Sequence, residues 1–148
     1  MFMKIIFSIA LAAVLLLNVA HAENKPAIQM DTLLKSSQSW DGKKYDSYPS
    51  GPPELTVLKI TIPPNTTMAW HKHSMPNVAY VVSGSLTVEK KVGGEKKIIT
   101  SGQVLPEMVG EYHRGITGKE PVELIVSYAG SVGMPLSEPE NNENKDLH

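Results

Sequence analysis

The sequence predicts a single all-β domain, a sandwich or barrel built from many short strands. No stretch after residue 22 shows sustained 3.6-residue apolar periodicity, and 11 prolines and 11 glycines interrupt the chain. Short apolar or alternating runs lie between them, and β-branched residues, which favour strands over helices, dominate these runs. Many short strands separated by frequent turns are typical of sandwiches and barrels.

The first 22 residues, MFMKIIFSIALAAVLLLNVAHA, predict a cleaved signal peptide that is not part of the fold. One cation, Lys4, precedes an apolar run that ends in Ala20-His21-Ala22, the small-x-small pattern of a signal-peptidase site. A membrane-spanning helix needs roughly 20 apolar residues, and this run is shorter and contains polar side chains. We therefore expect cleavage after Ala22 and a periplasmic or secreted protein with no membrane association after cleavage.

Composition limits what residues 23–148 can be. They suffice for one compact domain with its own core, but not for two. The absence of cysteine excludes disulfides, cysteine nucleophiles, thiolate zinc sites and iron–sulfur clusters. Loss of Lys4 leaves 13 basic residues against 15 acidic ones. The lysines are spread along the chain, so we expect no nucleic-acid partner.

The predicted strands lie within residues 54–136, which we take as the barrel. They cover Leu55–Ile62, Val78–Val88, Lys97–Thr100 and Val122–Tyr128, with a further short strand, GQVLP, that opens at Gly102. KKVGGEKK at 90–97 predicts a hairpin centred on two glycines. IPPNT at 62–66 predicts a turn in which Asn65 tolerates a left-handed backbone.

Two flanking segments lie outside the predicted barrel. Residues 23–53 predict an N-terminal extension with an edge strand in MDTLLKSS, at 30–37. Residues 137–148, SEPENNENKDLH, contain one apolar side chain and four acids. Such a segment cannot bury enough surface to order itself, so we expect a disordered acidic tail.

Three histidines lie within the predicted barrel: His71, His73 and His113. On a strand, residues i and i+2 point to the same face, so His71 and His73 are able to share one ion. A third imidazole would complete a three-nitrogen site suited to Zn, Cu, Fe or Ni. The pair alone is a weak signal, because surface histidines on an edge strand give the same pattern. Sequence spacing does not bring His113 near the pair.

The two histidine segments resemble the cupin superfamily. Its first motif is G-x5-H-x-H-x3-4-E-x6-G, and its second is G-x5-P-x-G-x2-H-x3-N. At the first set of spacings the chain has Asn65, His71, His73, Asn77 and Gly84. At the second set it has Gly102, Met108, Gly110, His113 and Thr117. The resemblance covers about residues 54–130. It implies a double-stranded β-helix (jelly-roll) barrel in which the three histidines meet at one divalent metal.

Asn77 is the main departure from the family pattern. It occupies the position of a glutamate that is the fourth, anionic ligand in the common cupin set. Asparagine offers a neutral carbonyl oxygen and an amide donor, so we expect a weak ligand or a residue that supports a ligand. Three neutral imidazoles leave positions open for water or substrate. The same departure is also consistent with a site that binds metal poorly.

Three further residues are candidates for a substrate pocket: Arg114, Tyr80 and Met108. Arg114 is the only arginine of the chain and is suited to bidentate binding of a carboxylate or phosphate, although a rim position facing water also explains it. Tyr80 fits the barrel core or an interface equally well. Met108 fits a core-filling role.

Two functions follow from the resemblance, and the residues do not decide between them. The first is a metal-dependent enzyme acting on a small molecule, similar to thiol- and diketone-oxidising cupin dioxygenases with three-histidine sites. Its cofactor is Fe, Mn, Ni, Zn or Cu. The second is a non-catalytic small-ligand or metal-binding module with a degenerate site, since one fold hosts many functions. Extensions in small cupins often swap a strand onto a partner, so the resemblance also favours a homodimer.

Overall fold

A computed structural model of the protein describes residues 27–141. The predicted signal peptide at 1–22 and the last seven residues lie outside this range. The chain divides into two units after Met30, and the second unit, which begins at Asp31, contains the nine strands. No helix in the described part of the chain is long and apolar enough to cross a membrane.

The described residues form nine strands and no helix. The strands are β1 Pro53–Ile62, β2 His71–Lys72, β3 Asn77–Ser83, β4 Ser85–Lys90, β5 Lys96–Thr100, β6 Val104–Pro106, β7 His113–Thr117, β8 Val122–Ser131 and β9 Glu138–Pro139. They build a four-stranded sheet in the order β1-β8-β3-β6 and a five-stranded sheet in the order β5-β4-β7-β2-β9. The strands pair in antiparallel fashion. The predicted all-β double-stranded β-helix is confirmed.

The core lies between the inward faces of the two sheets. Alternate residues of β8 point inward, and Leu124, Val126 and Tyr128 are buried. Leu58 and Ile60 of β1 pack against this cluster from the neighbouring strand. A strand presents successive side chains to opposite faces. The alternating residues of LTVLKITI, at 55–62, accordingly put Leu58 and Ile60 on the inward face of β1 and Leu55 and Val57 on its exposed face.

Turn residues divide the predicted runs into separate strands. The run 78–88 is two strands, because Gly84 lies between β3 and β4 with a φ of 83°. Asn65 has a φ of 53°, the left-handed conformation expected for it. The predicted hairpin forms between β4 and β5, with positive φ at both of its central glycines. Strand β7 was not among the predicted runs, because Arg114 and Gly115 interrupt its apolar pattern.

The predicted N-terminal edge strand is wrong for the described residues. Positions 31–37 form no strand and are exposed, including Leu33 and Leu34. Between residues 27 and 52 the described backbone forms one isolated bridge, between Gln38 and Lys44. Alternation of apolar residues predicts a strand only where one face is buried, and these side chains are not covered.

Residues 39–45 of the extension contact the segment that follows β6. The amide of Trp40 donates to the carbonyl of Pro106 at 2.9 Å, and the hydroxyl of Tyr45 donates to the carbonyl of Glu107 at 2.7 Å. Nearby, Lys43 forms an ion pair with Glu111 at 3.0 Å. These contacts hold the segment between β6 and β7 in place against the extension.

The start of the predicted disordered tail is ordered instead. Residues 138–139 form β9, which pairs with β2 and carries the sheet beyond the predicted barrel end at 136. Glu138 forms an ion pair with Lys72 at 3.5 Å, and Glu140 forms one with Lys91. Composition suggested disorder, but backbone pairing to β2 and these lysines supply the partners. Residues 142–148 lie outside the described range.

Candidate metal centre

The fold brings His71, His73 and His113 together. His71 of β2 is the direct register partner of His113 of β7. His73 follows β2 and forms an isolated bridge with Val109. The three ring centroids lie 4.7 to 5.2 Å apart, and one potential ligand atom from each ring lies within 4.8 Å of the others. Strand pairing thus provides the proximity that sequence spacing does not.

A backbone carbonyl orients each imidazole ring. The Nδ1 atoms of His71, His73 and His113 lie 2.9, 2.8 and 3.0 Å from the carbonyl oxygens of Ala69, Leu136 and Glu111, respectively. A carbonyl oxygen only accepts hydrogen bonds, so Nδ1 carries the proton in each ring. Each Nε2 then holds the free lone pair. This arrangement is the one that fixes the tautomer and ring orientation of metal-binding histidines.

Burial keeps two of the rings neutral. His73 and His113 are buried, and burial lowers the pKa of each to about 4, although the hydrogen bond to the backbone carbonyl opposes this shift. Both imidazoles are therefore uncharged near pH 7, as metal ligands must be. The Nε2 atom of His113 is buried and has no hydrogen-bond partner in the protein.

Glu107 is a site residue that the sequence did not single out. It follows β6, is buried, and places Oε2 at 3.3 Å from Nε2 of His113. Burial raises the pKa of Glu107 to about 7, and Oε2 has no hydrogen-bond partner. Its one sequence signal is its position next to Met108 in the second motif.

A cavity of about 480 Å³ lies beside the histidines, inside the barrel. Its wall is mainly apolar and comes from both sheets, with Leu58, Ile60, Met68, Trp70, Leu86, Val88, Leu124, Val126, Tyr128 and Leu136. Glu107 and the three histidines supply most of its polar groups. A larger cavity of about 580 Å³, beside Tyr45 and Tyr48, contains no imidazole. We therefore place the candidate site in the smaller cavity.

Asn77 lies on the inward face of β3. It is buried and pairs in register with Tyr128, whose ring lies 5.7 Å from that of His73. Its Nδ2 donates to the carbonyl of Met75 at 3.1 Å, and its Oδ1 has no hydrogen-bond partner. The backbone of Met75 thus holds the Asn77 side chain. The role of Asn77 as a weak ligand or supporting residue stays a prediction.

The predicted pocket residues Arg114, Tyr80 and Met108 do not line the histidine cavity. Arg114 and Tyr80 each follow an inward-facing residue on a strand, so they point outward. Met108 is fully buried in the interior.

Arg114 has partners on the outer face of the five-stranded sheet. Its guanidinium lies 4.1 Å from the ring centroid of Trp70 and pairs with Glu89 at 2.7 Å. The side chain therefore stabilises the outer face and does not reach the cavity.

The donors present fit a divalent transition metal. Three neutral imidazoles suit Zn, Cu, Fe or Ni better than Mg or Ca, which prefer oxygen. The unpartnered Nε2 atom of His113 is the observation that supports this fit, because a buried donor or acceptor without a partner is rare and costly. An ion held by these rings would face the cavity. Coordination positions that the protein does not fill would be open to a small molecule.

Comparison with known proteins agrees with this fold and site. Residues 58–128 match the family model described as Cupin domain. No curated protein matches the chain. Solved structures with a similar fold include the DMSP lyase DddQ from Ruegeria pomeroyi DSS-3, with 18% sequence identity and a TM-score of 0.51. Another is the polyketide cyclase RemF from Streptomyces resistomycificus, with 19% identity and a TM-score of 0.51.

Both alignments cover 59% of this chain, but only 45% of the lyase and 61% of the cyclase. The chain thus spans about half the length of these neighbours. At such identities the likeness shows the fold alone. The family match therefore identifies residues 58–128 as a cupin domain, and this domain contains the histidine cluster.

Proposed function

We propose that the protein binds one divalent transition metal through His71, His73 and His113 and uses it in a reaction on a small molecule. The observation that carries this proposal is the common orientation of the rings. All three Nδ1 atoms donate to backbone carbonyls, which leaves three Nε2 lone pairs for one ion. The metal is Fe, Mn, Ni, Zn or Cu, as imidazole donors suit these ions.

The bound ion would supply Lewis-acid or redox chemistry. The chain's own residues would do the rest. The three imidazoles would hold the ion, while the apolar walls would exclude water and strengthen electrostatic interactions inside the cavity. The cavity of about 480 Å³ suits a small, largely apolar substrate with one polar group that reaches the metal.

An open coordination position distinguishes an enzyme from a closed binding module. We expect azide to change the visible absorption spectrum of the Co(II)-loaded protein, because azide would occupy a position that no side chain fills. The control is Co(II)-loaded protein with added chloride at the same ionic strength. If Co(II) binds but azide leaves the spectrum unchanged, the bound ion has no open coordination position and the proposed reaction at the metal is wrong. The alternative, a non-catalytic metal-binding module, would then be favoured.

We also propose that the protein is exported and forms a homodimer. The signal-peptide pattern before Glu23 supports export. Support for the dimer comes from β1, a strand at a sheet edge that exposes Leu55 and Val57 by 83% and 63%.

Both proposals are tested on protein purified from the periplasm or medium of cells that express the full chain. We expect an intact mass that begins at Glu23 and a native mass, by light scattering, of two chains. An intact mass that includes residues 1–22 contradicts export with cleavage, and a native mass of one chain contradicts the dimer.

A further inference from the structure

We infer that Glu107 supplies the anionic ligand of the metal centre, from the second motif instead of the first. This inference rests on the proposed three-histidine site. In the common pattern the carboxylate would come from position 77, which is asparagine in this chain. Glu107 is the acidic side chain among the described residues that line the histidine cavity.

The contact between Glu107 and His113 brings together two buried atoms that are each able to bind a metal. Oε2 of Glu107 and Nε2 of His113 lie 3.3 Å apart, and both are buried without a hydrogen-bond partner. The Nδ1 proton of His113 goes to the carbonyl of Glu111, so Nε2 offers a lone pair, as a carboxylate oxygen does. Two lone pairs at this distance are unfavourable unless a proton on the Glu107 carboxyl group or a metal ion lies between them.

The separation agrees with that expected for two ligands of one ion. Ligand atoms about 2.0–2.1 Å from a divalent transition metal lie roughly 2.8–3.0 Å apart at neighbouring octahedral positions and roughly 3.3–3.4 Å apart in tetrahedral geometry. The observed 3.3 Å between Glu107 and His113 falls in the tetrahedral range. The distance between these two atoms is therefore the one expected of two ligands of one ion.

The backbone places residue 107 beside residue 77. The amide of Glu107 donates to the carbonyl of Asn77 at 3.0 Å, which continues the pairing of β3 with β6. On its other side, the carbonyl of Glu107 accepts from the hydroxyl of Tyr45. The Asn77 side chain meanwhile turns to the carbonyl of Met75. A carboxylate at 107 thus approaches the region that a glutamate at 77 would occupy.

The test is a set of Mn(II) and Zn(II) affinities measured by competition with a chromophoric chelator. Glu107→Gln keeps the shape and removes the charge. We expect it to weaken Mn(II) binding at least about tenfold, with a smaller loss for Zn(II), because Mn(II) depends more on oxygen donors. The matched control is Glu123→Gln, at an acid of β8 that pairs with Lys59 at 2.9 Å and does not line the cavity. We expect its affinities to stay within about twofold of wild type.

A swap variant sharpens the test. Glu107→Gln combined with Asn77→Glu should recover Mn(II) affinity, because the carboxylate returns to the same site from the neighbouring strand. Equal Mn(II) affinity in wild type and Glu107→Gln overturns the inference but leaves the three-histidine centre standing. Failure of the wild type to bind either metal overturns both.

A second readout requires no variant. Addition of Zn(II) to the wild-type protein should shift a carboxylate stretching band in the infrared difference spectrum, since ligation changes the bond order of the Glu107 carboxylate. If stoichiometric Zn(II) shifts imidazole bands alone, Glu107 is not a ligand. This measurement decides the question even if Glu107→Gln does not fold.

Discussion

Replacement of His113 by alanine is expected to abolish stoichiometric metal binding. His113 faces His71 directly across the β2–β7 pair, so its loss removes one of three nitrogen donors and the contact with Glu107. We expect Zn(II) affinity to fall by at least about 100-fold, since the remaining pair of imidazoles binds the ion far more weakly. Isothermal titration calorimetry of the apoprotein measures this directly.

The neighbouring residue provides a matched control for this variant. Arg114→Lys changes a side chain on the same strand, but on the outer face beside Glu89 and Trp70. Its Zn(II) affinity should equal that of wild type, while its stability falls slightly because the stacked guanidinium is lost. Wild-type Zn(II) affinity in folded His113→Ala protein would show that the ion binds elsewhere.

Gly84→Ala is expected to destabilise the fold strongly. Gly84 has a φ of 83°, and an added Cβ would lie 2.3 Å from the carbonyl oxygen of Pro121 and 3.1 Å from Cα of Val122. Both contacts are with backbone, which cannot rotate away as a side chain can. Backbone strain and overpacking together should lower the free energy of unfolding by about 3–5 kcal/mol.

Gly102→Ala separates the two causes of that loss. Gly102 also has a φ of 83°, but no atom lies within 4 Å of the Cβ position. We expect this control to lose only about 1–2 kcal/mol from left-handed backbone strain. Urea unfolding of the two variants measures the difference. Equal losses would mean that the contact between Gly84 and Pro121 has no effect on stability.

Local patterns were sufficient to predict most of the barrel. Strand β1 follows from its closely alternating pattern, whereas the run 78–88 was predicted without the break at Gly84, whose φ is 83°. The structure of the segments before and after the barrel was harder to predict, because it depends on residues that are distant in the sequence. Glu138 is ordered by Lys72 and by pairing with β2, whereas residues 31–37 form no strand in the described structure.

The histidine set was predicted, but its acidic neighbour was not. H-x-H is a local pattern, and the family motif identified His113, which pairing of β2 with β7 brings opposite His71. The same motif places a carboxylate ligand at position 77 and none at position 107. Only the pairing of β6 with β3 brings Glu107 to the site. Arg114 and Tyr80 failed as pocket residues because strand alternation turns them outward.

The metal content of the wild-type protein tests the central claim most directly. The protein, purified without a histidine tag, is stripped with a chelator, reconstituted separately with Fe(II), Mn(II), Ni(II), Cu(II) and Zn(II), and freed of excess metal. Elemental mass spectrometry then gives the metal-to-protein ratio. The three-histidine centre of His71, His73 and His113 predicts about one equivalent of at least one of these metals. Less than about a tenth of an equivalent with all five would contradict it.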